Sequence, residues 1–156
     1  MRIAPQEIRT FFATSVTNLC RPLFAKQQMA NLFLDVLSDN QKKGRFSLHE
    51  FVAMPDHFHL IITPEIHTPL EKALQYIKGG FSFRAKKEVG FIGFIWQDGF
   101  TNHRIRDSQD YLNHRDYIHE NPVKQRLAKN AEDYPYSSAY PGAKLDPVPP
   151  WLKPKL

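Results

Sequence analysis

Two apolar segments separated by a short polar turn constrain the fold of this chain more than any other feature. The segments are RFSLHEFVAM (residues 45–54) and HFHLIIT (residues 57–63), with a Pro-Asp pair between them. Alternating apolar segments joined in this way predict two strands connected by a turn at Met54–Asp56. Because alternate side chains of a strand point to the same side of a sheet, we expect His57 and His59 to share one face.

Further strands and helices are predicted on both sides of this hairpin. Residues 9–18 are rich in β-branched and aromatic types and predict a strand, and residues 91–106 predict another strand region with a turn at Gly99. Apolar spacings of three and four predict one helix over residues 25–39 and a second from Leu70 to about Lys87. Gly79-Gly80 predicts a kink or a loosened turn in the second helix, because each glycine weakens a helix by roughly 1 kcal/mol.

A third helix completes the predicted order. It begins with Asp107 or Ser108 as its cap and runs to Asn121, where Pro122 is expected to end it. The order strand, helix, strand, strand, helix, strand, helix predicts an α+β fold, with a ferredoxin-like antiparallel sheet and helices packed on one face. We expect a single domain over residues 1–140 and an extended C-terminal tail over residues 141–156.

The charge of the chain favours an anionic partner. Its formal net charge is +5 and 13% of its residues are aromatic, which suits attraction to phosphates and stacking on unpaired bases. A solvated charged surface is the alternative interpretation. The basic residues concentrate on the second helix and around the third, and the candidate DNA-binding residues are Lys72, Lys78, Arg84, Lys86, Lys87, Arg104, Arg106 and Lys124.

The single cysteine, Cys20, excludes an intramolecular disulfide and a cysteine-based zinc cluster. The N-terminus (MRIAPQEIRT) has no apolar signal core, and no apolar run approaches membrane-spanning length. We therefore expect a cytoplasmic protein with no membrane partner.

Four residues could form a reactive metal site. Imidazole nitrogens bind divalent metals, so His57 and His59 could reach one ion. Tyr117 and Asn121 are four residues apart on the third helix and share a face, which would place an amide oxygen and a phenol beside that ion. A phenol has a pKa of about 10 and acts as a nucleophile only where phenolate is favoured. Packing histidines and a half-buried helix tyrosine are the alternatives that spacing alone leaves open.

Three segments resemble a known family. VAMPDHFHLIITP (52–64) resembles the His-hydrophobic-His segment of the single-tyrosine HUH transposases. IWQDGFTNHRIRDSQDYLNHRDYIHENPVK (95–124) is similar to the tyrosine helix and its lead-in in the REP-associated tyrosine transposases. EDYPYSSAY (132–140) fits the aromatic-Pro-aromatic-Ser-Ser signature of that subgroup. The resemblance extends over about residues 9–140.

The resemblance implies roles for individual residues. It implies Tyr117 as the catalytic nucleophile, His57 and His59 as metal ligands, and Mg²⁺ or Mn²⁺ as the metal. The family's third ligand lies four residues after the tyrosine, which is Asn121 here, where better-known insertion-sequence members carry glutamine. His119 and Glu120 are the alternative third ligands, and Tyr111 is the alternative tyrosine.

The implied function is a metal-dependent transesterification on single-stranded DNA. Such an enzyme nicks and rejoins DNA at hairpin-forming palindromes through a 5′-phosphotyrosine intermediate, acting as a monomer or a homodimer. Two other functions fit parts of the sequence. One is a non-catalytic module that binds single-stranded nucleic acid, and the other is a metallohydrolase that uses a metal-bound water. His57, His59 and Tyr117 are all present, which argues against loss of activity by substitution.

Overall fold

A computed structural model describes residues 8–154 of the chain. The strands are β1 (Thr10–Val16), β2 (Phe46–Met54), β3 (His57–Pro64) and β4 (Thr101–Ile105), and the α-helices are α1 (Gln27–Lys42), α2 (Leu70–Arg84) and α3 (Ser108–Lys124). The strands form one antiparallel sheet in the order β2-β3-β1-β4. This order is ferredoxin-like, and the predicted α+β fold class is confirmed.

The predicted hairpin lies in the middle of this architecture. Strands β2 and β3 pair directly, with Val52 opposite His59 and Met54 opposite His57. On its other side β3 pairs with β1, where Thr14 lies opposite His59. Strand β3 is therefore an interior strand, and its burial over residues 58–63 shows that both of its faces are covered.

The two faces of the sheet are covered by different helices. Helices α1 and α2 pack on one face, over Phe58 and Leu60, which agrees with the prediction of two helices on one face. Helix α3 lies on the opposite face, over Val52, Ile61 and Ile105. Because apolar side chains also point to this second face, it needs a cover of its own, and α3 provides it.

Helix α2 continues through Gly79-Gly80 as regular α-helix, so the predicted kink or loosened turn is wrong. A Cβ atom at Gly80 would lie 3.4 Å from Val36 Cγ1 of α1, which indicates that the glycine allows the two helices to approach closely. The irregularity comes later, where Ala85–Val89 form a wide π-type turn that ends at the left-handed Gly90 (φ 73°).

Two predicted strands are shorter than expected. The region 91–106 contributes only Thr101–Ile105 to the sheet, and β1 spans Thr10–Val16 rather than residues 9–18. Gly93 and Gly99 have φ angles of 103° and 80°, which interrupt an extended chain between residues 91 and 100. Within this stretch, Trp96 forms one isolated bridge to Thr17.

Helix α3 begins as predicted and ends later than predicted. Asp107 caps it, because its carboxylate oxygen accepts a hydrogen bond from the backbone nitrogen of Asp110 at 2.8 Å. The prediction that Pro122 ends the helix is wrong, since the helix runs to Lys124. A proline in the last turn removes one hydrogen bond and leaves little helix beyond it to disrupt. Asn121 therefore has helical neighbours on both sides.

The chain after α3 returns to the edge of the sheet beside β2. Ala53 donates a backbone hydrogen bond to Tyr136 at 2.8 Å, and Ser138 donates one to Phe51 at 2.9 Å. Further on, Leu152 is fully buried against the α3 face. Leu152 thus packs on the fold, and the division of the chain at residue 140 stays a prediction. No helix within residues 8–154 is long and apolar enough to span a membrane.

Candidate active site

His57, His59 and Tyr117 come together on the face of the sheet that α3 covers. The ring centroids of His57 and His59 are 4.8 Å apart, and those of His59 and Tyr117 are 5.3 Å apart. Strand β3 places the two histidines on one face by alternation, and α3 brings Tyr117 into contact with His59. Phe12 of β1 packs against this group, with its ring 5.1 Å from that of His59 and 6.0 Å from that of Tyr117.

His59 is held as a neutral imidazole with one nitrogen unused. Its residue is 6% exposed, and burial, followed by the neighbouring His57, lowers its pKa to about 3. Nδ1 lies 2.7 Å from the hydroxyl of Thr14. With the proton on Nδ1 and donated to Thr14, the lone pair is on Nε2, which is buried and has no hydrogen-bond partner within residues 8–154.

His57 is oriented by a different partner. Its Nδ1 lies 2.6 Å from a carboxylate oxygen of Asp56, to which Nδ1–H donates. This leaves Nε2 available, in the arrangement that orients many metal-binding histidines. We did not predict a role for Asp56 or Thr14. Asp56 directly precedes His57 and could have been noticed, whereas Thr14 reaches His59 only through the pairing of β1 with β3.

Asn121 is the second buried residue with an unused polar atom. It follows Tyr117 by one helical turn, is buried, and its amide nitrogen has no hydrogen-bond partner in the described part of the chain. Rotation of the amide by 180° exchanges its oxygen and nitrogen, so the side chain can present an oxygen instead. Buried polar atoms without partners are costly, and a divalent cation would satisfy both His59 Nε2 and the Asn121 oxygen. These residues therefore fit the implied metal ion.

The alternative residues on α3 are engaged elsewhere. Tyr111 is buried and donates to Glu50 at 3.1 Å, and its pKa is raised, first by burial and then by the charge of Glu50. His119 Nε2 lies 2.7 Å from the other carboxylate oxygen of Glu50. Glu120 is exposed. Tyr117, by contrast, is 45% exposed beside His59, so its phenol is the more accessible of the two.

Glu50 is an unpredicted residue that ties α3 to the sheet. Besides Tyr111 and His119, the hydroxyl of Ser138 donates to its carboxylate at 2.7 Å. A buried carboxylate is stable only when such donors surround it. Glu50 thus connects β2, α3 and the returning segment. Its position as a charge within an apolar strand was a signal that could have been read from the sequence.

Most of the predicted DNA-binding residues lie away from Tyr117. Lys72, Lys78, Arg84, Lys86 and Lys87 belong to α2 or to the turn after it, which cover the opposite face of the sheet. Lys78 donates to the backbone oxygen of Gly99 at 2.7 Å, and Arg84 pairs with Glu88 at 2.6 Å. The structure therefore does not bring this group to the tyrosine, and part of its charge is already paired.

The other predicted basic residues belong to β4 and α3. Partial desolvation, followed by the charges of Arg106 and Arg9, lowers the pKa of Arg104, which indicates a cluster of like charges near the edge of the sheet. Arg106 is exposed, and Lys124 is exposed in the last turn of α3. These side chains are available to an anionic partner that approaches β4 or the end of α3.

Comparisons with known proteins agree on one class. The sequence profile described as "Transposase IS200 like" matches residues 13–121, a range that includes His57, His59, Tyr117 and Asn121. The REP-associated tyrosine transposase of Escherichia coli K12 is 35% identical over 94 residues, which are 60% of this chain and 54% of that protein. A Haemophilus influenzae protein whose description puts it in the same class is 35% identical over 106 residues, 62% of this chain and 60% of that protein. The chain thus spans little more than half the length of these relatives.

A solved structure extends the similarity to the fold. It is described as a REP-associated tyrosine transposase bound to a REP hairpin. It superimposes with a TM-score of 0.72 and 27% sequence identity, covering 88% of this chain and 81% of the other. The shared region is therefore nearly the whole of the fold described above.

Proposed function

This chain belongs to the IS200-like transposase family, whose members cut and join DNA, and we propose that it nicks and rejoins single-stranded DNA through a 5′-phosphotyrosine intermediate. One observation carries the proposal. The accessible phenol of Tyr117 lies beside His59, whose buried Nε2 has no hydrogen-bond partner within residues 8–154. A nucleophile next to an unsatisfied ligand atom is the arrangement that metal-assisted phosphoryl transfer requires.

His57, His59 and Asn121 would hold the metal ion, for which we propose Mg²⁺ or Mn²⁺. When bound, such an ion polarises a phosphate oxygen and stabilises the charge on the departing oxygen. Thr14 and Asp56 would orient the two imidazoles through their Nδ1 atoms. Of the two metals, Mn²⁺ is the more compatible with imidazole ligands.

Tyr117 would act as the nucleophile. Its phenol loses a proton and its oxygen attacks the scissile phosphorus, while the bond from phosphorus to the 3′-oxygen breaks. The 3′-oxygen takes up a proton and leaves as a hydroxyl, and the downstream strand stays attached to Tyr117 through its 5′-phosphate. Because the phosphotyrosine bond replaces the phosphodiester, a second 3′-hydroxyl can reverse the step and join new ends without ATP.

We propose hairpin-forming single-stranded DNA as the partner, because the structural relative is described as bound to a REP hairpin. Arg104, Arg106 and Lys124 are the first candidates for phosphate contacts, since they are exposed or only partly buried beside the elements that bear the site. The basic residues of α2 are proposed to contact DNA farther from the scissile phosphate. An enzyme of this kind acts where the chromosome is, which in a bacterium is the cytoplasm.

One copy of the chain supplies the whole candidate site. Helix α3 packs against the sheet of its own chain, so that Tyr117 and His59 are brought together within one molecule. We therefore propose that a monomer suffices for cleavage. A homodimer is then not needed to complete the site.

The proposal is tested by cleavage of a single-stranded oligonucleotide that contains a hairpin. Wild type is expected to cleave with Mn²⁺ and to stop when a chelator is added. Tyr117→Phe removes the nucleophilic oxygen and should lower the rate by at least about 10³-fold. Tyr140→Phe is the matched control, because Tyr140 is 43% exposed and lies outside the site. Equal rates for Tyr117→Phe and wild type would show that the proposed mechanism is incorrect.

A further inference from the structure

A second cluster of ligand-type side chains lies where β4 meets the first turns of α3. It consists of His103, Asp110 and His114, and one ligand atom from each lies within 4.8 Å of the other two. His103 Nε2 is 2.7 Å from one carboxylate oxygen of Asp110, and His114 Nδ1 is 3.1 Å from the other. The two imidazole rings are stacked, with centroids 4.8 Å apart. None of the three residues has a role in the cleavage proposed above.

The fold brings this cluster together from two elements. Asp110 and His114 are four residues apart on α3 and so lie one above the other on the same side of the helix. His103 is two residues before the buried Ile105 on β4, and alternation turns both toward α3. The backbone nitrogen of Asp110 donates a hydrogen bond to the N-cap residue Asp107, which fixes the backbone of Asp110. The three ligands are therefore held in place without any help from His57 or His59.

We propose that His103, Asp110 and His114 form a second metal site, selective for zinc or a similar transition ion. Two imidazoles and one carboxylate are ligands that Zn²⁺, Co²⁺ and Ni²⁺ bind, whereas Mg²⁺ prefers oxygen ligands in an octahedron. The site would differ in this way from the proposed catalytic site, for which Mg²⁺ or Mn²⁺ is proposed.

The observed distances suit such an ion after a small adjustment. A tetrahedral ion about 2.1 Å from each ligand separates the ligand atoms by about 3.4 Å. The pairs at 2.7 and 3.1 Å, which involve different oxygens of Asp110, need to open by about 0.7 and about 0.3 Å, and all the ligand atoms already lie within 4.8 Å of one another. His114 Nδ1 is also 2.9 Å from the backbone oxygen of Asp110, so this ring offers the ion either Nδ1, when that contact is given up, or Nε2. The exposed side of His103 leaves room for a water as the fourth ligand.

The bound ion would act as a clamp on the helix that carries the nucleophile. It would join the first turns of α3 to the edge strand β4. One of its ligands, His114, is three residues before Tyr117. The ring of His114 also packs against Phe12 at 4.7 Å, and Phe12 contacts both His59 and Tyr117. An ion pair alone at this exposed position would stabilise the junction little, whereas three bonds to one ion would fix it.

Zinc binding by the full chain tests the proposal, measured by equilibrium dialysis against ZnCl₂. His57→Ala/His59→Ala removes the candidate catalytic ligands and should still bind about one equivalent. Adding His103→Ala/His114→Ala to that variant should abolish zinc binding. His67→Ala, in an exposed loop outside both clusters, is the control and should bind as wild type does. Zinc should also raise the melting temperature of the His57→Ala/His59→Ala variant.

Two results would overturn the second site. One is that His57→Ala/His59→Ala binds no zinc although circular dichroism shows that it is folded. The other is that its bound zinc survives His103→Ala/His114→Ala. Co²⁺ gives a second measurement, because its visible absorption in the His57→Ala/His59→Ala variant should disappear with Asp110→Asn. These readouts need no DNA, so a failure here is distinguishable from a failure of Tyr117→Phe to block cleavage.

Discussion

The central strands β1 and β3 present different chemistry on the two faces of the sheet. Toward α1 and α2 they contribute fully buried apolar side chains, which are Ala13, Phe58, Leu60 and Ile62. Toward α3 the alternate positions contribute Phe12, Thr14, His57, His59 and Ile61. On this second face His59 is buried as well, while Thr14 and His57 are partly buried. The Nε2 atom of His59 keeps no hydrogen-bond partner in residues 8–154, nor does the amide nitrogen of Asn121 on the covering helix.

The difference indicates that the face under α1 and α2 mainly stabilises the fold, while the face under α3 carries the candidate site. Burial of apolar rings on the first face stabilises the sheet and fixes the register of β3. On the second face, apolar area is replaced by imidazole, hydroxyl and amide groups, which lowers stability unless each group finds a partner. Residues adjacent in sequence, such as Phe58 and His59, therefore have opposite roles, and substitutions on the two faces should have different effects.

The largest effect on stability is expected for Phe33→Ala on the apolar face. Phe33 is 0% exposed, and its ring packs against those of Phe24, Phe58 and Phe81. The cavity left behind should lower the free energy of unfolding by about 3–5 kcal/mol, measured by urea denaturation. Phe94→Ala is the control, because Phe94 is 81% exposed, and it should change stability by about 0.5 kcal/mol or less. A similar loss of unfolding free energy in Phe33→Ala and Phe94→Ala would contradict the stabilising role of the apolar face.

A smaller effect on stability, together with an effect on cleavage, is expected for Glu50→Gln. The amide keeps the shape but cannot accept from Tyr111, His119 and Ser138 as the carboxylate does. Urea denaturation should show a loss of about 1–3 kcal/mol. The rate of cleavage should also fall below that of the control Glu71→Gln, which changes an exposed residue at the start of α2. Unchanged stability would mean that Glu50 does not anchor α3.

Asp56→Asn should weaken metal binding and leave the fold intact. Asparagine accepts a weaker hydrogen bond from His57 Nδ1–H than the carboxylate does, so the imidazole is less well oriented. The Mn²⁺ concentration for half-maximal cleavage should rise about 10- to 100-fold. Asp35→Asn, at an exposed position of α1, should leave that concentration unchanged. An unchanged Mn²⁺ requirement in Asp56→Asn would show that Asp56 does not contribute to metal binding at the candidate site.

A pH dependence of stability is expected in the metal-free protein. The pKa of His59 is about 3 in the folded chain and about 6.5 when unfolded, so the unfolded chain takes up the proton first. The free energy of unfolding should therefore fall as the pH drops below 6.5, by at most about 1.4 kcal/mol per pH unit, and His59 adds no pH dependence above it.

The control for this effect is His59→Gln, measured with chelator present between pH 7 and about pH 4.5. In this variant the free energy of unfolding should depend less steeply on pH than in wild type. Burial also lowers the pKa of His49, but this residue is present in both proteins, so the difference between them reports His59. Identical slopes would show that burial of His59 is not coupled to stability.

Local patterns explain why part of the fold and of the site was predictable. Alternation in residues 45–63 was sufficient to place His57 and His59 on one face, and a spacing of four was sufficient to place Tyr117 with Asn121. Both patterns depend on residues within a few positions of one another. The cap at Asp107 is local in the same way and was predicted correctly as one of two candidates.

Such local patterns could not predict contacts between residues that are far apart in the sequence. Thr14 reaches His59 across 45 residues, and Ser138 reaches Glu50 across 88, so neither contact leaves a local signal. Gly79-Gly80 was expected to bend α2, but tertiary packing of Gly80 against α1 outweighs its low helix propensity. The placement of α2 on the opposite face, away from Tyr117, likewise follows from topology and could not be read from its lysines.

The most direct test of the central claim is the site of the covalent bond between protein and DNA. A hairpin oligonucleotide labelled at its 3′ end should, with Mn²⁺, give an adduct that survives denaturant, and mass spectrometry of its peptides should locate the nucleotide on Tyr117. Tyr117→Phe should give neither adduct nor cleaved product. Cleaved product that accumulates without any adduct would show that water is the nucleophile. An adduct on Tyr111 would show that Tyr111 is the nucleophile. Either result would contradict the assignment of Tyr117.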